Sequence, residues 1–509
     1  MPAPSSTYEP RHAAQRVLHR IVLEHFETFR AQVASIRDGE GLPRFVEQEF
    51  REFLGCGCLA SGFARFHCDA CVLDRLVPFS CKGRGFCPSC GGRRMAERAA
   101  HLIDHVFSDV PVRQWVLSLP YRLRYVLAWD HDLCRAVVAV YVRALLGFLR
   151  RRARRDGVKD GHGGAVAIIQ RFGGALNLNV HVHALVIDGV FTGEGEAVGF
   201  HSARRLTRDE VAQVVAVVAR RIDRLLQRRG VAAAPEERGV PDAWSEDAPV
   251  LAGLAAASIQ GRIGLGPRAG AGVLRYGEPP DDREPAAVGP CHAQAGGFDF
   301  HAAIVTHAGQ RDRLERLCRY ALRPPLAEDR LKVDSEGAVW LTLRHRWSDG
   351  TTHLKFEPLE LLERLAVLTP RPRINLVLYY GVLAPRARWR AAAVAWTGPP
   401  HADSSPATEH STGDAQRPDA ASRRRPGAYL WAELMRRTFG FDVLACPRCG
   451  GRLRLLALIE DRTAVERILR HLGLPTDRPE PWPARAPPNR TDASARAWDE
   501  DMPTFDATF

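Results

Sequence analysis

Residues 177–189 read Asn177-Leu-Asn-Val-His181-Val-His183-Ala-Leu-Val-Ile-Asp-Gly189. Valine, isoleucine and leucine at this density predict a buried strand, and the Asp-Gly pair predicts the turn that ends it. Side chains alternate along a strand, so His181 and His183 face the same side, roughly 7 Å apart. Neutral imidazoles without partners in a core cost free energy. The stretch therefore indicates either a divalent metal held by both rings or two hydrogen-bonded core histidines.

A second strand candidate, residues 165–170, precedes the histidine strand. Gly173 and Gly174 between them predict a tight turn and hence an antiparallel hairpin. The side chain of Gln170 then lies near the histidines and offers an oxygen as a third metal ligand. A purely structural glutamine is the alternative.

Length and composition limit the class of protein. The 509 residues exceed one domain, and 45% hydrophobic with 26% charged residues is ordinary for a globular chain. No apolar run approaches the roughly 20 residues of a membrane helix, and the N-terminus lacks a signal-peptide pattern. We expect a cytoplasmic protein with no membrane partner. A net charge of +12 favours an acidic polymer such as DNA, although an arginine-rich background gives the same balance.

Cysteines are concentrated in one short segment. Of twelve, seven lie between residues 56 and 90, which suits metal binding in a reducing compartment. The pattern Cys68-x2-Cys71-x15-Cys87-x2-Cys90 predicts one structural Zn²⁺ held by four thiolates. Other nearby residues could replace a ligand or build a second site: Cys56, Cys58, His67 and Cys81.

Arginines next to these cysteines, Arg93 and Arg94 among them, predict contacts with DNA phosphates. A zinc-stapled scaffold that only packs on its neighbour is the competing interpretation. Near the other end of the chain, Cys446-x2-Cys449 supplies half of a zinc site. Its remaining ligands must come from elsewhere, and His471 is a candidate.

The helix predicted for residues 310–322 carries a tyrosine among arginines. Arg313, Arg316, Tyr320 and Arg323 share one face, and the prolines after Arg323 end the helix. Positive charge favours the phenolate and lowers the pKa of a tyrosine, while guanidinium groups bind phosphate oxygens. Tyr320 is a candidate nucleophile, with simple packing of Tyr320 as the alternative.

A His-x-His strand and a distant tyrosine among arginines together suit metal-assisted DNA strand transfer. The metal stabilises charge on the scissile phosphate, and the tyrosine oxygen forms a 5′-phosphotyrosine. Oxygen-rich substrate ligands favour Mg²⁺ or Mn²⁺ at this site.

The chain resembles the HUH-type rolling-circle transposases of the insertion-sequence class called IS-ninety-one and its common-region relatives. The resemblance covers roughly residues 50–390 and 440–460. Besides the first cysteine pair it is carried by Ser80-Cys-Lys-Gly-Arg-Gly-Phe-Cys-Pro-Ser-Cys90, Arg113-Gln-Trp-Val-Leu-Ser-Leu-Pro120, Gln170-Arg-Phe-Gly-Gly-Ala-Leu-Asn-Leu-Asn-Val-His-Val-His183, Cys318-Arg-Tyr-Ala-Leu-Arg-Pro-Pro325, Pro358-Leu-Glu-Leu-Leu-Glu-Arg-Leu365 and Tyr380-Gly-Val-Leu-Ala-Pro385. It implies His181 and His183 as metal ligands, Tyr320 as nucleophile, and single-stranded DNA at element ends and target as substrate.

One departure from the family concerns the second tyrosine. Some members carry two tyrosines four residues apart, but position 324 is proline here, so the chain resembles the single-tyrosine branch. Tyr121 and Tyr125 are four apart, yet they follow a different strand and are interpreted as packing residues. A plasmid-type rolling-circle nickase and a non-catalytic zinc DNA-binding regulator are the alternative functions.

The expected fold is α+β, with an antiparallel-sheet HUH nuclease core, a zinc-binding domain before it and a small Cys-x2-Cys unit after it. The expected divisions are a helical segment (1–50), the zinc-binding domain (51–105), the catalytic domain (106–390), a linker (391–427), the Cys-x2-Cys unit (428–473) and a disordered tail (474–509). Such a protein would act in the cytoplasm, on nucleoid DNA.

Overall fold

The computed structural model describes residues 15–36, 41–194, 197–231, 243–278, 291–398, 431–440 and 442–485. The first part contains α1 (Val17–Ala34), α2 (Arg44–Leu54), β1 (Phe63–Cys68), β2 (Leu73–Pro78) and α3 (Pro88–His105). The central part runs through β3 (Val112–Ser118), α4 (Tyr121–Trp129), α5 (His131–Arg155), β4 (Gly164–Phe172), β5 (Leu178–Ile187), β6 (Gly189–Glu194), β7 (Ala197–Ser202), α6 (Arg208–Arg228), α7 (Ala243–Asp247), α8 (Pro249–Ile259), β8 (Leu274–Gly277), β9 (His292–Ala295), β10 (Phe298–His301), β11 (Val305–Thr306), α9 (Arg311–Leu322), β12 (Leu331–Val333), β13 (Val339–Thr342), β14 (Thr351–Phe356), α10 (Pro358–Leu368), β15 (Val377–Gly381) and α11 (Arg390–Val394). The last part contains α12 (Trp431–Phe439), β16 (Leu453–Ile459) and α13 (Arg462–His471). Within these ranges no helix is long and apolar enough to cross a bilayer.

The histidine strand β5 lies at the centre of a seven-stranded sheet. The strand order is β15-β4-β5-β3-β10-β9, with β11 also paired to β3, and the neighbours are antiparallel. The predicted β4–β5 hairpin is confirmed: the Gly173 N–H donates to the Asn177 carbonyl at 2.9 Å. A central position explains why the strand is apolar on both faces.

Different helices cover the two faces of this sheet. Val182 and Ala184 pack in one core with Tyr141 of α5 and Val215 of α6. Leu185 belongs to a second core, which contains side chains of α3 and α9. Because residues two apart share a face, His181 and His183 point toward the α9 side.

Several connections differ from the sequence prediction. The strand expected over 298–306 is two strands, β10 and β11, both paired with β3. The poorly patterned stretch 265–297 contributes β8 and β9 to two different sheets. Strands of four residues are too short to show a recognisable alternation of apolar and polar side chains, so they form because of their pairing with other strands in the folded protein.

The two ends of the chain meet in a three-stranded sheet of order β16-β1-β2. β16, from the unit predicted at 428–473, pairs antiparallel with β1 of the zinc-binding segment. Beyond it, the Trp482 N–H donates to the Leu23 carbonyl at 2.8 Å. In the predicted tail (474–509), residues 474–485 are described, and the backbone N–H groups of Trp482 and Arg485 donate to α1. Residues 486–509 and positions 399–427 of the predicted linker (391–427) lie outside the described residues.

Candidate active site and zinc centres

His181 and His183 lie side by side on β5. Ser118 of β3 and Gln170 of β4 stand opposite His181 in the sheet register. The centroids of the two imidazole rings are 5.0 Å apart, and the residues are only 7% and 0% exposed. The rings are therefore placed as one pair of nitrogen donors, shielded from bulk water.

Hydrogen bonding and burial set the protonation of this pair. The His181 Nδ1 lies 2.9 Å from the carbonyl oxygen of Asn179; a carbonyl accepts only, so Nδ1 carries the proton and Nε2 keeps its lone pair. Burial lowers the pKa of His181 to about 4, and the positive charge of Arg323 acts in the same direction. Burial likewise holds the pKa of His183 well below its usual value. Both rings are neutral near pH 7, which is the form that binds metals.

Two buried glutamines flank the histidines. Gln170 Nε2 donates to the Ala321 carbonyl at 2.6 Å, while its Oε1 is buried without a hydrogen-bond partner among the described residues. Gln114 Nε2 lies 2.7 Å from His183 Nδ1. Gln170 was predicted from its position in the hairpin, whereas Gln114 was not, because only the pairing of β3 with β5 brings it to His183.

Tyr320 lies in the last turn of α9. The helix ends there because Arg323 precedes Pro324 and adopts an extended backbone, with φ −56° and ψ 150°. The Tyr320 ring stands edge-on to the His183 ring, with a centroid distance of 5.9 Å. The fold thus brings the predicted nucleophile and the predicted metal ligands into one site.

The arginines around Tyr320 are only partly those that helical spacing indicated. The Arg323 guanidinium lies 4.2 Å from the centre of the Tyr320 ring. Arg313 and Arg316 are exposed at earlier turns of the same helix. Arg344, between β13 and β14, was missed: burial lowers its pKa, the charge of Arg323 lowers it further, and Tyr320 counteracts both. No local pattern marks Arg344, because only folding brings it to α9.

The start of α3, which follows Cys87, borders this site. α3 packs along α9, and a Cβ added to Gly91 would lie 2.6 Å from the Pro324 Cβ. Only glycine permits this approach of the two helices. The packing holds the start of α3 close to Tyr320.

A cationic cleft runs between α3 and the end of α9. It is lined by Arg84, Arg94 and Arg98 from the zinc-binding side and by Gln170 and Arg323 from the catalytic side. Burial lowers the pKa of Arg84 and of Arg98, and the charge of Arg94 lowers both further. Clustered positive charge of this kind attracts a polyanion.

The two arginines predicted to contact DNA differ in environment. Arg94 Nη2 donates to the carbonyls of Lys82 and Gly83 at 3.0 and 3.1 Å, so it also braces the loop before α3. Arg93 is exposed on α3 and does not line the cleft. Arg84 and Arg98 belong to the same basic segment of the sequence, and both line the cleft.

Eight cysteines form two clusters of four, and the predicted pairing of Cys68 and Cys71 with Cys87 and Cys90 is wrong. One cluster is Cys56, Cys81, Cys87 and Cys90; the other is Cys68, Cys71, Cys446 and Cys449. Sulfurs in contact are 3.4–3.7 Å apart, close to the roughly 3.8 Å edge of a tetrahedron with Zn–S bonds of about 2.3 Å. Both sets of thiolates therefore fit a structural Zn²⁺.

Candidate ligands left over from the sequence analysis lie outside both clusters. His67 Nδ1 is 2.9 Å from the Asp74 carboxylate, and neither Cys58 nor His471 belongs to a four-residue group in the described chain. The pairing was mispredicted because each Cys-x2-Cys turn is an equivalent half-site. Cys71 and Cys446 are 375 residues apart, and spacing carries no information over that distance.

Comparisons with protein families agree with this arrangement. Residues 21–119 match a family described as "Transposase zinc-binding domain", and residues 164–390 match one described as "Putative transposase". The second match includes His181, His183 and Tyr320. No curated protein and no solved structure matches the chain. The two matches, in the chain order of a zinc-binding domain and a transposase domain, show that this chain belongs to the transposases of the IS-ninety-one (IS91) type.

Proposed function

We propose that this transposase cleaves and rejoins single-stranded DNA through a phosphodiester bond to Tyr320, with a divalent metal at His181 and His183. The observation that carries the proposal is the 5.9 Å separation of the Tyr320 and His183 rings. A phosphate group between them would be within reach of both the phenol oxygen and a metal on the imidazoles. Its DNA would be the ends of an insertion element and a target strand in the cytoplasm.

The residues present fit a divalent metal. His181 offers Nε2, because its Nδ1 proton is donated to the Asn179 carbonyl. Gln170 offers a buried oxygen that accepts no hydrogen bond from the described residues. Two nitrogens and one amide oxygen leave room for phosphate oxygens and suit Mg²⁺ or Mn²⁺. When bound, such an ion stabilises negative charge on the phosphate oxygens during displacement.

Cleavage would proceed by direct displacement at phosphorus. The Tyr320 oxygen loses its proton to solvent and bonds to the phosphorus, while the bond from phosphorus to the 3′ oxygen breaks. The leaving 3′ oxygen takes a proton from water and becomes a free hydroxyl. Arg323, stacked on the ring, supplies positive charge beside the attacking oxygen.

Rejoining is the reverse of the same displacement. A 3′-hydroxyl from another DNA end attacks the phosphotyrosine, and the Tyr320 oxygen leaves and is reprotonated. The phosphodiester is conserved throughout, so no nucleotide cofactor is required. With proline at position 324, a single tyrosine would serve both steps.

The cationic cleft supports a single strand as the substrate. Its arginines stand on both walls, and its catalytic wall includes Gln170 and Arg323, next to Tyr320. A groove with positive charge on both walls can follow one sugar-phosphate backbone.

The test is a covalent adduct. The protein is mixed with single-stranded element-end DNA and Mg²⁺, and a protein–DNA band is sought on a denaturing gel. Tyr320→Phe should abolish the adduct. The matched control is Tyr380→Phe, whose ring packs in the core on the α5 side of the sheet, opposite to Tyr320; it should retain the adduct.

Other results would favour the alternative functions. An adduct formed with a plasmid origin but not with element-end hairpins would indicate a replication nickase. A protein that binds DNA equally well with and without the Tyr320 hydroxyl, and never forms an adduct, would be a non-catalytic zinc regulator.

A further inference from the structure

A second arginine-lined pocket lies on the outer side of α5 and α6. Its volume is about 510 Å³. Arg221, Arg224 and Arg228 follow one another at helical spacing on α6, so they share one face, and Arg143 of α5 faces them. Those four arginines line the pocket together with Val140 and Gln227.

The positive charge of this pocket is not neutralised by the described residues. None of its four guanidinium groups forms an ion pair with a carboxylate in the ranges that the structure describes. Elsewhere on these helices arginines are paired: Arg152 lies 2.9 Å from Glu210. Arg151 of α5 adds positive charge close to Arg221: burial is the larger cause that lowers the pKa of Arg151, and the charge of Arg221 lowers it further.

The position of the pocket separates it from the candidate active site. α5 and α6 cover the sheet face opposite to α9, as the division of the two cores shows. A strand bound at Tyr320 is therefore on the other side of the seven-stranded sheet. Among the described residues that border the pocket, Val140 alone is apolar, which does not suit a lipid surface.

We propose that this pocket binds the phosphate backbone of a second DNA segment. The inference rests on the proposed function in one respect: rejoining brings together the strand carried by the tyrosine and another DNA that supplies the 3′-hydroxyl. Three arginines at helical spacing on α6 and a fourth on α5 provide bidentate donors for neighbouring phosphates. The contact is independent of base sequence and would hold a duplex on the same protein, on the sheet face opposite to the cleft, so that the two DNAs do not compete for one site.

The experiment measures the binding of two DNAs to one full-length protein. The Tyr320→Phe protein is saturated with a short single-stranded oligonucleotide, and a labelled duplex is added while its fluorescence anisotropy is followed over a range of salt concentrations. The pocket variant combines Arg221→Gln, Arg224→Gln and Arg228→Gln. The matched control removes the same charge from exposed positions outside the pocket, with Arg154→Gln, Arg208→Gln and Arg220→Gln.

The pocket variant should bind the duplex on the order of a hundredfold more weakly at 0.1 M salt. The slope of log affinity against log salt should fall by about 3, roughly one unit for each lost phosphate contact. The control should retain most of both values. With Tyr320 intact, the pocket variant should still form the adduct with the short oligonucleotide.

Three results would overturn the inference. They are an unchanged duplex affinity in the pocket variant, an equal loss in the control, and duplex binding that the saturating oligonucleotide abolishes. A missing tyrosine adduct combined with duplex binding that depends on the pocket would instead refute the proposed function and leave this site standing.

Discussion

The cysteine cluster that joins the two ends of the chain leads to a sharp prediction about Cys446→Ser with Cys449→Ser. This double variant removes two of the four thiolates of one zinc centre and leaves the cluster around Cys56 intact. The bound zinc should fall from two ions to one per chain. If the adjacent pairs Cys68–Cys71 and Cys87–Cys90 shared a zinc instead, the count would not change in this way.

How far this double variant detaches the C-terminal unit, which contains β16 and α13, depends on the other interactions that hold the unit in place. Closing a flexible loop of 375 residues costs about 5 kcal/mol from the logarithmic part of the loop-entropy rule, before its constant. A structural zinc contributes roughly 10–16 kcal/mol. β16 buries little, because Leu455, Leu456 and Leu458 are 49%, 40% and 62% exposed. Zinc therefore provides most of the free energy of docking.

Without zinc, apolar contacts of α13 remain. Val465 and Leu469 are buried against Phe63, and each contributes about 1.5–3 kcal/mol. That sum is close to the closure cost, so we expect the segment to be docked for only part of the time.

The assay combines zinc analysis with hydrogen exchange. Amides of β1 that pair with β16 should exchange much faster in the double variant, whereas β4 and β5 should stay protected. Cys58→Ser with Cys291→Ser is the matched control, since neither cysteine belongs to a cluster. A variant that still binds two zinc ions, or that loses both, refutes the assigned ligand sets.

Three further predictions concern the central sheet. In metal-free protein the pKa of His181 is lowered to about 4, so the unfolded state binds more protons than the folded state between pH 6.5 and pH 4. The free energy of unfolding should therefore drop by about 3 kcal/mol as pH falls through this window. In urea titrations at several pH values, His181→Leu should remove this part of the pH dependence. Gln114 Nε2 lies 2.7 Å from His183 Nδ1, and a His183 that binds metal through Nε2 carries its proton on Nδ1, so the amide must turn to present its oxygen as the acceptor. Gln114→Leu removes that acceptor and should weaken Mn²⁺ binding about 10–100-fold, measured by electron paramagnetic resonance. Gln114→Glu keeps an acceptor, and an equal loss there would argue against this role. The buried Arg113 guanidinium lies 2.7 Å from the Asp188 carboxylate, so Asp188→Asn leaves a buried charge unpaired and should lower the free energy of unfolding by about 3–5 kcal/mol. Arg113→Met combined with Asp188→Leu removes both charges and should recover most of this loss. If it does not, the cause is something other than the unpaired charge.

Local pattern was sufficient for the histidine strand and for the nucleophile helix. The apolar density around His181, the Gly173-Gly174 turn and the prolines after Arg323 act over a few residues, so periodicity and turn chemistry predict them. The antiparallel sheet of the fold class followed from that hairpin and from the family resemblance, and it is confirmed.

Features assembled from distant segments could not be predicted in the same way. Gln114 meets His183 only because β3 pairs with β5, and Arg344 reaches Tyr320 from a connection between two other strands. The zinc ligand sets failed for a related reason. A Cys-x2-Cys turn predicts that its two thiolates bind the same metal, but it does not indicate which second turn supplies the other two ligands.

The zinc-binding segment and the nucleophile helix are tied into one mechanical unit. α3 begins at Cys87 and Cys90 of the first zinc centre and packs along α9, which carries Tyr320. α12 joins both helices, because Arg437 pairs with Asp104 of α3 and lies 2.9 Å from Glu315 of α9. The cleft wall on α3 and Tyr320 on α9 are therefore held at a fixed separation. A zinc ion at Cys56, Cys81, Cys87 and Cys90 would anchor the start of α3, and with it one wall of the proposed strand path.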